Sequence, residues 1–261
     1  MKRAILVYSL ALCFGGTGAF SQESTATGRS GVVTYEETVK MEIKLEGEAA
    51  RLIKDLPTER KAVRKLTFTT EASTYTTAPS ATPEPDRRVE ADGFVFVARS
   101  YEPENIIHTD LKKKKVTEMR EFMTRMFLID RAFTENNWKI TGEQKEIAGF
   151  VCMEATRADT AGRKTSVWFT PQIEIAAGPA LFNNMPGMVL EVNENDGQRI
   201  ITAKSVEFTP INTKDLAKPS EGKKVTAEEF DEIVKEKMKE MGAEGSGSGT
   251  VRVVIRNQEQ E

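Results

Sequence analysis

Trp168-Phe169-Thr170-Pro171 runs through Gly178-Pro179 to Asn184-Met185-Pro186-Gly187-Met188-Val189-Leu190-Glu191-Val192. Over these 25 or so residues only Glu174 and Glu191 carry charge. Proline pins φ and glycine permits φ > 0, so this spacing fixes a backbone path. The stretch reads as a strand, a Pro/Gly-punctuated crossing and a second strand. That reading makes the fold mainly β, and the rest of the chain agrees with it.

Val33, Tyr35, Val39, Met41, Ile43 and Leu45 alternate with Thr34, Glu36, Lys40, Glu42 and Lys44. A two-residue period is the mark of a half-buried strand. Similar short runs follow at 64–70, 93–100, 138–143, 150–157, 164–170, 188–193, 199–208 and 251–256. Nine or so short strands with one-sided alternation predict an antiparallel sheet rather than a parallel α/β fold. The expected class is a β-rich α+β fold, a curved sheet or half-barrel covered by one or two helices.

Two stretches break the strand pattern. Ala78 to Asp86 carries three prolines and reads as a loop. Residues 226–241 read as the clearest helix, with Thr226 and Glu229 as a capping box and Val225 stapled against Phe230. Phe230, Ile233, Val234, Met238 and Met241 share one face, so this helix needs the concave face or an edge of the sheet as its partner. A weaker helical pattern covers Glu46 to Leu56. Gly245-Ser246-Gly247-Ser248-Gly249 is a flexible linker before a last Val-rich strand, which must pair with a sheet edge or another chain.

The N-terminus has the form of a secretory signal. Lys2 and Arg3 precede an apolar run from Ala4 to Phe14, and Ala19 and Ser21 fit a cleavage site. Eleven apolar residues are too few to span a bilayer, which needs roughly 20. In Leu10-Ala11-Leu12 a bulky Leu12 stands directly before Cys13, where lipidation would want a small residue. The expected organisation is a signal peptide at 1–21, one domain at 22–244 ending in the helix, and a linker with a strand at 245–261. The expected location is the periplasm, the cell envelope or the medium.

The whole chain has 37 Lys+Arg against 40 Asp+Glu; without Lys2 and Arg3 the balance is 35 against 40, or −5. That argues against nucleic acid as a partner. Lys112 to Lys115 is the densest basic patch and reads as a solvated turn. Beyond the signal Cys152 is the one cysteine, and His108 is the one histidine of the chain. No Cys/His metal cluster can be built from them, and Cys152 in its apolar run reads as a buried, inert thiol. Met119, Met123 and Met126 could offer thioether ligands to a soft metal, but amid Phe122, Phe127, Leu128 and Ile129 they read as packing residues. No cofactor is expected.

From Trp138-Lys139-Ile140 onward, several blocks in order resemble the GLPGLI family of secreted bacterial proteins. They are 145–152, Trp168-Phe169-Thr170-Pro171, Gly178-Pro179 and Met185-Pro186-Gly187-Met188-Val189-Leu190. Asn184 stands where the family motif has its first Gly. The resemblance implies an exported envelope protein, often an accessory of TonB-dependent uptake, with no defined catalytic residues.

Together these readings favour an exported, non-catalytic protein that binds a lipid or other hydrophobic small molecule on the concave face. The residues expected to line that site are Trp168, Phe169, Phe182, Met185, Pro186, Gly187 and Met188. The alternative is docking to an outer-membrane receptor or secretion complex. An enzyme is the least favoured reading, because no catalytic fingerprint appears and Glu191 and Glu207 are unplaced carboxylates.

Overall fold

The computed structural model describes residues 30–40, 58–78, 87–91, 94–98, 104–133, 137–159, 162–240 and 256–257. The expected signal peptide, the helix at 46–56, nearly all of the Pro-rich loop and the Gly/Ser linker lie outside them. The strands are β1 (Ser30–Lys40), β2 (Glu59–Thr69), β3 (Ala72–Thr77), β4 (Arg87–Ala91) and β5 (Phe94–Ala98). They continue with β6 (Asn105–Asp110), β7 (Lys115–Phe122), β8 (Arg125–Ala132), β9 (Lys139–Ile147) and β10 (Phe150–Ala158). β11 (Lys164–Thr170), β12 (Met188–Glu194), β13 (Arg199–Phe208), β14 (Lys223–Thr226) and β15 (Arg256–Asn257) complete the set, with one helix, α1 (Ala227–Glu240).

Twelve strands form one open, curved sheet in the order β14-β8-β7-β6-β3-β2-β1-β13-β12-β11-β10-β9. Every neighbouring pair is antiparallel except β14 with β8. β4, β5 and β15 make a separate small sheet, in which Arg256 and Asn257 pair with Val95 and Phe94. The β-rich expectation therefore holds, with the helix as its lone α element among the described residues. In β1 the buried positions are Gly31, Val33, Tyr35 and Glu37, the strict alternation of a strand with one face in the core.

One contact shows how far the segment before β12 reaches over the sheet. Asn183 Nδ2 donates to Thr109 Oγ1 at 3.4 Å. Thr109 lies on β6 and Asn183 lies just before β12, and five strand-to-strand steps separate those strands in the sheet. At roughly 4.8 Å per step those strands are separated by more than 20 Å of sheet, so the 171–187 segment reaches across several strands of the curved sheet before it enters β12.

That segment is the expected crossing, and it fills the concavity. Ile173, Ile175, Ala177, Phe182 and Met185 are buried in one cluster with Val33, Tyr35, Leu66, Phe68 and Ile107 from the sheet. A buried loop must satisfy its own backbone polar groups. Here it does so through short-range bonds: Ile175 N to Ile173 O (2.7 Å), Ala177 N to Ile175 O (2.8 Å) and Gly187 N to Met185 O (2.7 Å). Met188 N then bonds Ile173 O and Val189 N bonds Ala177 O, which ties the loop to the start of β12. Asn184 takes φ +71°, a left-handed conformation that Asn tolerates. Gly187 is held at φ +145°, where a Cβ would stand 2.1 Å from Thr170 O.

α1 begins as its cap predicts. Thr226 N donates to Glu229 Oε2 (2.8 Å), and Glu229 N donates to Thr226 Oγ1 (3.2 Å). Phe230 is buried with Val225, Phe127 and Ile129, and Ile233 and Val234 pack against that cluster. The helix thus seals the β14–β8 margin of the sheet. The segment 119–129, rich in Met and aromatics, is not helical. It is the β7–β8 hairpin, turned at Met123 and Thr124, both with φ > 0.

Charge is also buried. Glu37 Oε2 accepts from Arg64 Nε and its Oε1 accepts from Arg199 Nε, both at 2.6 Å. Arg199 Nη1 also reaches Glu194 at 2.8 Å, and Arg64 Nη1 bonds Thr77 Oγ1. Burial alone would raise the Glu37 carboxyl, but the two guanidiniums outweigh it and hold it below the ordinary value of 4.5.

Glu37→Gln should lose about 3 kcal/mol in urea unfolding at pH 7, because it removes the carboxylate that two buried guanidiniums share. A carboxyl with a lowered folded pKa stabilises above its unfolded pKa, so the gap to wild type should shrink as pH falls below about 4.5. Gly187→Ala should cost about 2–3 kcal/mol through its clash with backbone. Gly149→Ala, at φ +83° with open space around it, should cost only about 1 kcal/mol in the same unfolding assay. Cys152 is fully buried, and burial pushes its thiol up to about 11. Peptide mapping should show Cys152 unmodified by iodoacetamide at pH 8 until the protein is denatured.

Candidate functional site

The polar face of β10, β11, β12 and β13 is the candidate site. Cross-strand partners share a face, and the registers set out a row: Glu154 on β10, Trp168 on β11, Glu191 on β12 and Thr202 on β13. A second row holds Thr156, Ser166, Asn193 and Ile200. Val167 and Val192, the intervening residues of β11 and β12, are buried in the core. Alternation thus separates a packed side from a polar side on the same strands.

Charge partners order the first row. Lys145 Nζ donates to Glu191 Oε1 at 2.7 Å and lies 4.2 Å from the Trp168 ring centre. Thr202 Oγ1 reaches the other Glu191 oxygen at 3.3 Å, and Thr141 Oγ1 donates to Glu154 Oε2 at 2.9 Å. The half-buried Trp168 is therefore held between an ammonium and two carboxylates. Beyond it lies a polar hollow of about 200 Å³ lined by Glu154, Lys164, Ser166, Asn193 and Asp196. Asp196 belongs to the β12–β13 turn, where Asn193 Oδ1 accepts from Gly197 N at 2.7 Å.

The seven residues expected to line a hydrophobic site do not share one environment. Phe169, Phe182, Met185 and Met188 are buried in the main core, and Gly187 is buried where the crossing meets Thr170. Pro186 is exposed, and Trp168 is half-buried and packs against the same core cluster.

The other polar candidates also separate. His108 lies in the middle of β6, its Nδ1 3.2 Å from Thr74 Oγ1, and burial lowers its pKa. Cys152 Sγ instead donates to Phe150 O at 3.5 Å. Glu191 is bound to Lys145, while Glu207 is exposed near the end of β13. Lys112 and Lys113 sit in the β6–β7 turn, paired with Glu71 and Asp110. Among the described residues no group of three or more His, Cys, Asp or Glu could hold a metal. No described helix is long and apolar enough to cross a membrane.

The hollow's residues drew no notice in the sequence because each is an ordinary polar residue of a half-exposed strand. The signal that could find them is register. Once β10, β11 and β12 are paired, Glu154, Ser166 and Asn193 fall on one face beside Trp168.

The model of the family described as N-glycanase peptide, N-terminal domain, matches residues 97–234, just over half of the chain. Among solved structures, PNGF-II in one crystal form aligns with TM-score 0.53 and 13% identity, covering 79% of this chain and 33% of that one. A second crystal form aligns with TM-score 0.52 and 13% identity, covering 78% and 32%. At this identity the likeness is one of fold, and the chain spans about a third of the length of PNGF-II. No curated protein matches it.

These findings overturn four expectations. The resemblance to the GLPGLI family is not supported. Its Pro and Gly spacing is what a buried, self-bonded crossing demands of any sheet filled in this way. The non-catalytic lipid or hydrophobic-ligand carrier fails with it, since the matching family is described as an N-glycanase one. The accessory role that the resemblance implied loses that basis as well. The expectation that the chain is not an enzyme is overturned too, because the family takes its name from an N-glycanase. The chain belongs to the family of N-glycanase peptide N-terminal domains.

Proposed function

We propose that this chain acts in the removal of N-linked glycans and that its polar β10–β13 face meets the glycan of a glycoprotein. The observation that carries this reading is the family match, which runs from β6 through most of α1 and includes every strand of that face. The chemistry of the face agrees with it. Sugars are hydrogen-bonded by closely spaced donors and acceptors and packed by aromatic rings, and the row around Trp168 supplies both. Export through the leader at 1–21 belongs to the same proposal, because N-glycans are carried by secreted and surface proteins.

The test is to incubate the full chain with an N-glycopeptide and with the same peptide lacking its glycan. Fluorescence anisotropy reads binding, and mass spectrometry of the mixture reads released glycan. Binding of the glycopeptide over the bare peptide, or release of its glycan, is the expected outcome. Equal affinity for the two peptides with no released glycan would overturn the proposal.

A further inference from the structure

We propose that the hollow between β10, β11 and β12 is a subsite for one uncharged sugar ring, a neutral hexose or N-acetylhexosamine of the glycan. This rests on the reading that the face meets a glycan, and it adds where and which kind of ring. A ring hydroxyl both donates and accepts, so two adjacent hydroxyls are best held by an acceptor beside a donor. The hollow is built that way. Glu154 and Asp196 accept, while Lys164, Ser166 and Asn193 donate.

Two of these groups are already oriented by the protein. Glu154 accepts from Thr141 Oγ1 at 2.9 Å, which fixes one carboxylate oxygen. Asn193 spends its carbonyl oxygen on Gly197 N at 2.7 Å, so its amide nitrogen is the part that can donate to a ligand. Size and charge narrow the ligand. At about 200 Å³ the hollow is smaller than the roughly 300–1,000 Å³ pockets that enclose drug-sized molecules, so it suits a single ring. Two carboxylates against one ammonium leave the lining net negative, which opposes a carboxylate-bearing sugar. Trp168 is the register partner of Glu154 on the neighbouring strand, outside the lining itself.

Isothermal titration of the full chain with the neutral disaccharides chitobiose and mannobiose, and with a uronate-containing disaccharide, tests the assignment. At least one neutral disaccharide should bind, and the uronate should bind more weakly. The Lys164→Ala/Ser166→Ala double variant should lose about tenfold or more in affinity, the worth of one or two hydrogen bonds. Glu154→Gln, an isosteric change at the opposite wall, should also weaken binding, with Tm within a degree or two of wild type in both variants.

Neutral binding that both variants retain within twofold would overturn the subsite. So would a uronate that binds as tightly as its neutral counterpart. If neither neutral disaccharide binds while the glycopeptide still does, the subsite falls and the proposed function stands. If the glycopeptide is not distinguished from its bare peptide and no glycan is released, both fall.

Discussion

A sheet of twelve strands has two faces to account for, and its concave face can remain in water only if it is polar. Here that face carries Val33, Tyr35, Leu66, Phe68 and Ile107, which must be covered. The 171–187 crossing covers them, and the rest of the architecture depends on its fit. Its apolar side chains enter the concavity while its amides bond to carbonyls only a few residues away. Tyr35 Oη joins this arrangement from β1 by donating to Val189 O at 2.7 Å, where the crossing gives way to β12. Curvature, the filled interior and the direction in which β12 leaves the crossing are thus parts of one packing solution.

The same strands that close the interior open the polar face. In β11, Thr165, Val167 and Phe169 are buried, and Lys164, Ser166 and Trp168 look the other way. Charge follows a similar division. The interior admits Glu37 only with Arg64 and Arg199 in contact with it, and Glu118 only with Arg131 at 2.6 Å. On the polar face the pairing is looser. Lys145 and Glu191 position Trp168, and the hollow beyond it is lined by Glu154 and Asn193, each held by one hydrogen bond, together with Lys164, Ser166 and Asp196.

Much of this could be read directly from residues. Alternation gave away β1 and several later strands, and the Thr226/Glu229 box marked the start of α1 to the residue. The β7–β8 hairpin was hidden because its two-residue turn uses Met123 and Thr124 at φ > 0, where Asn-Gly is the usual signal. Without that signal, Met119, Met123 and Met126 present a spacing that imitates a helix face. Glu37 was invisible for another reason. Nothing local distinguishes it from Glu36, and the arginines that allow its burial come from β2 and β13. The polar hollow was illegible on the same ground, since it exists only after three strands have chosen their register. Family membership was misread because turn chemistry forced by a buried crossing was taken for a signature of descent.

The position of β1 also sets a timetable for the chain. It sits in the middle of the sheet, between β2 and β13. Ser30, at its start, reaches Thr209 O with its hydroxyl at 2.8 Å, across a sequence separation of 179 residues. At roughly 5–20 residues per second a ribosome needs about 9 to 36 seconds to make that intervening length. Throughout that interval β1 can find β2 but not β13, and one half of the sheet waits for the other. Contacts so distant in sequence also slow the final closure once synthesis is complete. A nascent chain of this design therefore spends its early life as an unfinished sheet, open along the line where its two halves will later be joined.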